Sequence, residues 1–283
     1  MKSEVRIIVL LILMMMKMQS ESGLSFLARL HPRPSGAQCL GPGLPPLSSH
    51  LTRLECQGAQ LDPQDVITAL ITDMTGRLTH QLEASVVLLD CSHKFNIKTL
   101  ARLLEDKVKE EVETEDRRLK DSGVEREERL ERRVRSGGQW DKVKTALSRL
   151  SIIHLHTPHS LEMAILNLEN ILEENTNISS VIVLGVNAFY YQVHSEEEVS
   201  YMNYMKRLNT MLSDACSLHK DNVKILAVEL NIFGDKADSE EDKITVNKTS
   251  SVVIENSPNG LSVHFQGHSV PFSFDKNNMI TWK

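Results

Sequence analysis

Apolar residues recur along this chain in two alternating patterns. Short, nearly unbroken runs, such as ASVVLL at 84–89, VIVLGV at 181–186 and VKILAV at 223–228, are separated by longer stretches. In those stretches apolar residues return every three to four positions. An unbroken run is what a strand covered on both faces shows. A return every three to four residues marks a helix with one covered stripe. The pattern predicts strands at 51–56, 84–89, 151–157, 181–186 and 223–228. It predicts helices at 63–80 (Val66, Ile67, Leu70, Ile71, Met74), 96–108, 160–174 (Leu161, Ala164, Ile165, Leu168, Leu172) and 199–218. Strand–helix alternation of this kind implies an α/β fold with a mainly parallel, doubly wound sheet flanked by helices. After Gly234 the pattern changes. A charged loop at 235–243 precedes short alternating segments at 251–255, 262–265, 271–274 and 279–282. Turn residues Pro258-Asn259-Gly260 and Asn277-Asn278 lie between them, so antiparallel hairpins on one sheet edge are expected.

Three stretches stand outside that pattern. Residues 31–49 are rich in Pro and Gly and read as a linker, because proline forces extended or turn geometry. Residues 105–135 mix charges with almost no apolar face, which predicts a solvated helical excursion or an insertion without a core face. Residues 1–20 carry Lys2 and Arg6 ahead of the apolar run 7–16 and then Lys17. That resembles the basic start and apolar core of a signal peptide, but no small-x-small cleavage site follows, and ten apolar residues are too few to span a bilayer. The expected organisation is an extension or signal segment at 1–20, an arm and linker at 21–50, and one α/β domain at 51–283 with a charged insertion at about 105–135.

Composition narrows the function classes. The 283 residues are 41% hydrophobic and 25% charged, with net charge −6. This suits a soluble globular protein and disfavours tight DNA binding by the chain unaided, while leaving a local basic patch open. Cys39, Cys56, Cys91 and Cys216 are scattered, with no zinc spacing and too few for a disulfide framework. Free thiols in a reducing compartment are expected. Sequons at Asn177 and Asn247 keep a secreted or membrane-associated α/β protein as the alternative.

Candidate chemistry concentrates at predicted strand ends. The stretch from Gly58 runs G-A-Q-L-D-P-Q-D between the first strand and helix. A phosphate loop, G-x-x-x-x-G-K-[ST], would need glycines to wrap phosphates, a lysine to neutralise them and a hydroxyl for magnesium. Here Pro63 takes the second glycine position, Gln64 the lysine position and Asp65 the hydroxyl position, and Asp62 adds a second carboxylate. Asp90 ends the next strand, where an acid faces the ligand crevice or caps the following turn. The strand VIVL ends in Gly185, where a magnesium-holding acid would stand in a nucleotide-hydrolysing protein. His154 and His156 share one strand face and His159 follows, with no third metal ligand apparent and a solvent-facing strand end the better reading.

These stretches, in this order, resemble the RecA-like recombinase paralogues of eukaryotic homologous recombination. The residues that carry the resemblance are ESGLSFLARL at 21–30, the loop position at 55–65, SVVLLDCSHKFNIKTLARLLEDKV at 85–108, the block 147–212 with Ala188-Phe189-Tyr190-Tyr191, and more loosely 273–282. The resemblance implies a RecA-like core and a nuclear role in DNA double-strand break repair. It implies a partner, another recombinase paralogue subunit, and contact with single-stranded or branched DNA through that complex. It also implies that residues 1–20 precede the family's start. The departures are chemical. Gln64 and Asp65 replace the loop's Lys and Ser/Thr, Ser92 falls at the water-activating glutamate position, Gly185 replaces the Walker B aspartate, and Leu230 or Asn231 sits where a γ-phosphate sensor would be. Each loss removes a separate part of phosphoryl transfer. ATP hydrolysis is not expected, and ATP and magnesium stay open as ligands. A nucleotide-binding enzyme with a still-working degenerate loop is the third reading.

Overall fold

Strand alternation sorts the core into two layers. In the computed structural model, β2 (Ser85–Asp90) sends Val86 and Leu88 to one face of the sheet and Val87 and Leu89 to the other. The same split recurs in β4 (Ile178–Leu184), with Ile182 and Leu184 against Val181 and Val183, and in β5 (Lys224–Val228), with Leu226 and Val228 against Ile225 and Ala227. β4 is buried along its whole length. A strand with two covered faces has no polar face to show, and this is why these runs are continuous in sequence. The structure describes residues 44–45, 51–57, 63–122, 138–219, 222–230, 250–257, 260–275 and 280–283.

Nine strands form one sheet in the order β3-β2-β4-β5-β1-β6-β7-β8-β9. β1 is Leu51–Gln57 and β3 is Leu150–His154. The pairings β3–β2, β2–β4, β4–β5, β5–β1 and β1–β6 are parallel. β6 (Ser250–Ser257), β7 (Gly260–Phe265), β8 (His268–Phe274) and β9 (Ile280–Trp282) then pair antiparallel in succession. The terminal hairpins therefore lie on one edge, as expected. The strand that joins them to the core, β6, runs parallel to β1.

The helices divide between the faces. α1 (Pro63–Gly76, running on as a π-helical turn at Arg77–Gln81), α2 (Ile97–Asp121) and α3 (Gln139–Ser148) cover one layer. α4 (Pro158–Leu166), α5 (Leu168–Glu174), α6 (Tyr190–Glu197) and α7 (Tyr201–Ala215) cover the other. Local caps set several starts. Asn96 accepts from Lys98 N (2.9 Å) to open α2, and Thr157 forms a reciprocal capping box with Ser160, with Pro158 at the first helical position. Gly76 lies where α1 meets α2; a Cβ there would stand 2.6 Å from Leu103 Cδ2.

Some elements differ from the sequence reading. Helix 160–174 is two helices divided at Asn167, which caps the end of one and the start of the next. Helix 96–108 extends to Asp121, so the charged stretch begins as exposed continuation of α2; residues 123–137 lie outside the described residues. α3 and α6 were not anticipated. Each buries only two side chains, Val143 and Ala146, and Tyr190 and Val193, too sparse a stripe to register as periodicity. Among the described residues no helix is long and apolar enough to cross a membrane. The apolar run 7–16, the linker 31–43, the loop 235–243 and Asn247 lie outside the described residues.

One buried carboxylate clasps the last strand to the helical layer. Asp73, on α1, accepts from Arg77 Nε (3.1 Å), Lys107 Nζ (2.9 Å) and Trp282 Nε1 (3.1 Å). The Arg77 guanidinium also lies 5.4 Å from the Trp282 ring centroid. Asp73 thus joins α1, α2 and β9, which are distant in sequence. Removing one member of a buried charge cluster strands the others. Asp73→Ala should cost about 3 kcal/mol, seen as a lower urea midpoint at unchanged slope, and Trp282→Phe less, about 1 kcal/mol for one lost hydrogen bond.

Candidate functional site

The carboxyl ends of β2, β4 and β5 lie side by side. Asp90 is in register with Leu184, and Leu184 with Val228. Backbone bonds carry the junction past the strands: Cys91 N donates to Leu184 O (2.9 Å), and Gly185 N to Val228 O (3.0 Å). In a parallel sheet this is the edge where ligand crevices open.

Asp90 is fully buried there. Its Oδ1 accepts from Ser92 N (3.1 Å), Ser92 Oγ (2.9 Å) and His93 N (2.8 Å), and its Oδ2 from Phe95 N (3.3 Å). His154 Nδ1 stands 3.5 Å from Oδ2. A carboxylate has about four acceptor sites; the turn that follows β2 brings three donors to Oδ1 and one to Oδ2, which His154 also faces. Of the two roles open from sequence, this is the turn-capping one. Ser92 is half-buried, and its hydroxyl, besides donating to Asp90, accepts from Lys94 N (3.2 Å).

Gly185 follows β4 with φ +76°, a conformation that favours glycine. A Cβ at this position would meet Ser92 Cβ at 3.0 Å and Leu230 Cδ1 at 3.2 Å. Any side chain here would press at its Cβ on a serine methylene and an apolar side chain. Leu230 is itself held in place: Asn187 Nδ2 donates to Leu230 O (2.7 Å) and Leu230 N to Asn187 Oδ1 (3.0 Å). Beside it Glu229, buried, accepts from Tyr201 OH (2.7 Å) and Arg53 Nη2 (2.7 Å). Burial first, and the Glu229 carboxylate second, push the Tyr201 phenol well above its ordinary range. Asn187, Tyr201, Glu229 and Arg53 went unnoticed in the sequence. They lie on four separate segments, and no local motif marks them. At the ends of β2 and β4, then, the residues do not fit magnesium: the one acid is saturated and the other position is closed.

The loop side is placed less fully. Gly58 and residues 59–62 lie outside the described residues. Pro63 and Gln64 form the start of α1, and Asp65 is exposed in its first turn, where a carboxylate interacts favourably with the helix dipole. β5 separates β1 from β4 in the sheet. Asp90, Ser92 and Gly185 are brought together; Asp65 opens a helix after a different strand. His154 and His156 are exposed at and just beyond the end of β3, and His159 is exposed in the first turn of α4. His93 joins the first two by stacking (4.4 Å to His156, 5.7 Å to His154). No His, Cys, Asp and Glu group among the described residues is arranged to hold a metal ion.

No protein-family model matches this sequence, and no curated protein matches it. Among solved structures the chain is similar to the RadB recombinase, with TM-score 0.50 and 14% identity over 81% of this chain and 89% of that one. The fold is RecA-like. At that identity the likeness carries the architecture and not the chemistry.

Two outcomes follow from the packing at this edge. Gly185→Ala forces a side chain into a positive-φ position already in contact, and should cost about 1–3 kcal/mol, read as a lower Tm. Gly185→Asp should lose at least as much stability and gain no magnesium-dependent ATP hydrolysis. Cys91 is buried beside Asp90, and burial, then that carboxylate, push its thiol up from 9.0 to about 12. In the native state it should resist iodoacetamide at pH 8 and react only on unfolding, read by peptide mapping. The unfolded chain gives up this proton first, so the thiol's contribution to stability is whole below pH 9.0 and lost as pH rises toward about 12.

Proposed function

We propose that this protein is a non-catalytic RecA-fold subunit of a recombinase paralogue complex, acting in the nucleus in double-strand break repair by homologous recombination. The fold shared with a solved recombinase supports the recombination setting. The observation that carries the non-catalytic reading is the closed end of β4, where Ser92 and Leu230 pack against Gly185. A phosphoryl-transfer site must hold magnesium and a water at that point. Gln64 in the lysine position and Asp65 in the hydroxyl position point the same way. Within the paralogue family, the motif order is most similar to the small X-ray-repair cross-complementing second member, which lacks an N-terminal helical domain. The partner is a paralogue subunit that keeps its own ATP site, and DNA contact is shared within the complex.

Titration of fluorescent ATP with magnesium into the purified chain should give no saturable binding. Saturable binding lost on Gln64→Ala would overturn the non-catalytic reading at its loop. Affinity purification from nuclei followed by mass spectrometry should recover a recombinase paralogue, and a chain recovered without one is not such a subunit.

A further inference from the structure

We propose that His93, His154 and His156 form a stacking platform for the bases of single-stranded nucleic acid, with Lys94 and Lys98 meeting its phosphates. The three rings come from two adjacent strand ends more than fifty residues apart. His93 is nearly parallel to His156 (centroids 4.4 Å apart, planes 17°) and to His154 (5.7 Å, 26°). All three are exposed; His154 is also held from within, opposite Asp90 in the sheet with its Nδ1 3.5 Å from that buried carboxylate. His93 adopts a left-handed backbone, φ +56°, and is held there by the bond from its N–H to the buried Asp90 carboxylate (2.8 Å). A non-glycine residue kept in that conformation over a rigid turn is a backbone cost concentrated at the stack.

Ring geometry selects the ligand. Imidazole lone pairs lie in the ring plane, so near-parallel rings offer them side by side and cannot converge on one ion. What a stack offers is a flat face, and unpaired bases stack on histidine as on other aromatic side chains. The charge nearby suits a polyanion. Residues 91–99 and 154–160 carry four histidines, two lysines and no Asp or Glu, in a chain with 38 acidic residues. Asp90 is buried with its oxygens occupied by the turn, and Glu162, the next acid after this segment, is paired with Arg207 (2.5 Å). A duplex keeps its base faces stacked inside and offers none to the platform. This inference deepens the adaptor reading by naming residues through which this chain would touch DNA, and rests on that reading only for its biological setting.

The test is fluorescence anisotropy of the full-length chain with a fluorescein-labelled oligothymidylate of about 20 nucleotides, a length spanning one or more single-strand sites. Saturable binding is expected, weaker for a duplex of the same length. The variant carrying His93→Ala and His156→Ala should bind about tenfold more weakly, the scale of a lost base stack. His156→Phe should retain binding, since the flat face survives. Lys94→Ala should reduce the salt slope by about 0.7 for one phosphate contact. Arg117→Ala, on the exposed part of α2, should change nothing. Absence of binding by the wild-type chain, duplex preference, or equal affinity of the double-alanine variant would overturn the proposal, as would loss in His156→Phe equal to that of an alanine. Recovery of a paralogue partner by the double-alanine variant is read separately. A variant that keeps its partner and loses the oligonucleotide supports both readings. A wild-type chain that binds the oligonucleotide but finds no partner removes the adaptor reading and leaves the platform standing.

Discussion

A parallel sheet has to be covered on both faces, and that requirement organises this molecule. The crossover helices that return the chain to each new strand also supply the cover. α1, α2 and α3 bury one side of β2, β4 and β5, and α4, α5, α6 and α7 bury the other. The carboxyl ends of these strands lie side by side at one edge of the sheet, where the backbone emerges between the helical layers and ligand crevices open in folds of this kind.

Those turns are built for rigidity. Asp90 spends its carboxylate on Ser92, His93 and Phe95. Asn187 ties the end of β4 to Leu230, and Glu229 gathers Arg53 and Tyr201. Every polar group named here points at protein. A buried carboxylate without such donors would be costly, so these bonds meet a demand of the fold itself. The same bonds leave no acid free to hold a metal at β2 or β4, and they lift His93 onto its stacked neighbours. One carboxylate, Asp90, thus holds the turn after β2 and receives the His93 N–H beneath the stacked rings.

Much of the fold was legible. Strands β2, β4 and β5 announce themselves as apolar runs, and α1 and α7 as 3.6-residue stripes, because burial on two faces or one leaves a direct trace in residue type. The antiparallel edge strands were marked by turn residues. Elements held by few buried side chains, α3 and α6, left no such trace. The division of helix 160–174 at Asn167 was also silent, since apolar residues continue on both sides of it. At the site, the empty acid position at Gly185 and the hydroxyl of Ser92 could be read against a motif. The partners of Glu229, and Lys107 and Trp282 around Asp73, could not, since they come from strands and helices far away in the chain.

What the sequence determined by itself was composition at fixed positions: which strands are buried, which helix starts with proline, and which residue types stand at Gln64, Asp65, Ser92 and Gly185. What only the tertiary structure decided was company. Asp90 became a saturated turn acid, Gly185 a closed position under Ser92 and Leu230, and His93 the third member of a stack that His154 and His156 alone did not suggest. Residue type is local and survives in the string of letters. Hydrogen-bond saturation, the room around a Cβ and the parallelism of rings are properties of segments brought together across the sheet, and they exist only once it has formed.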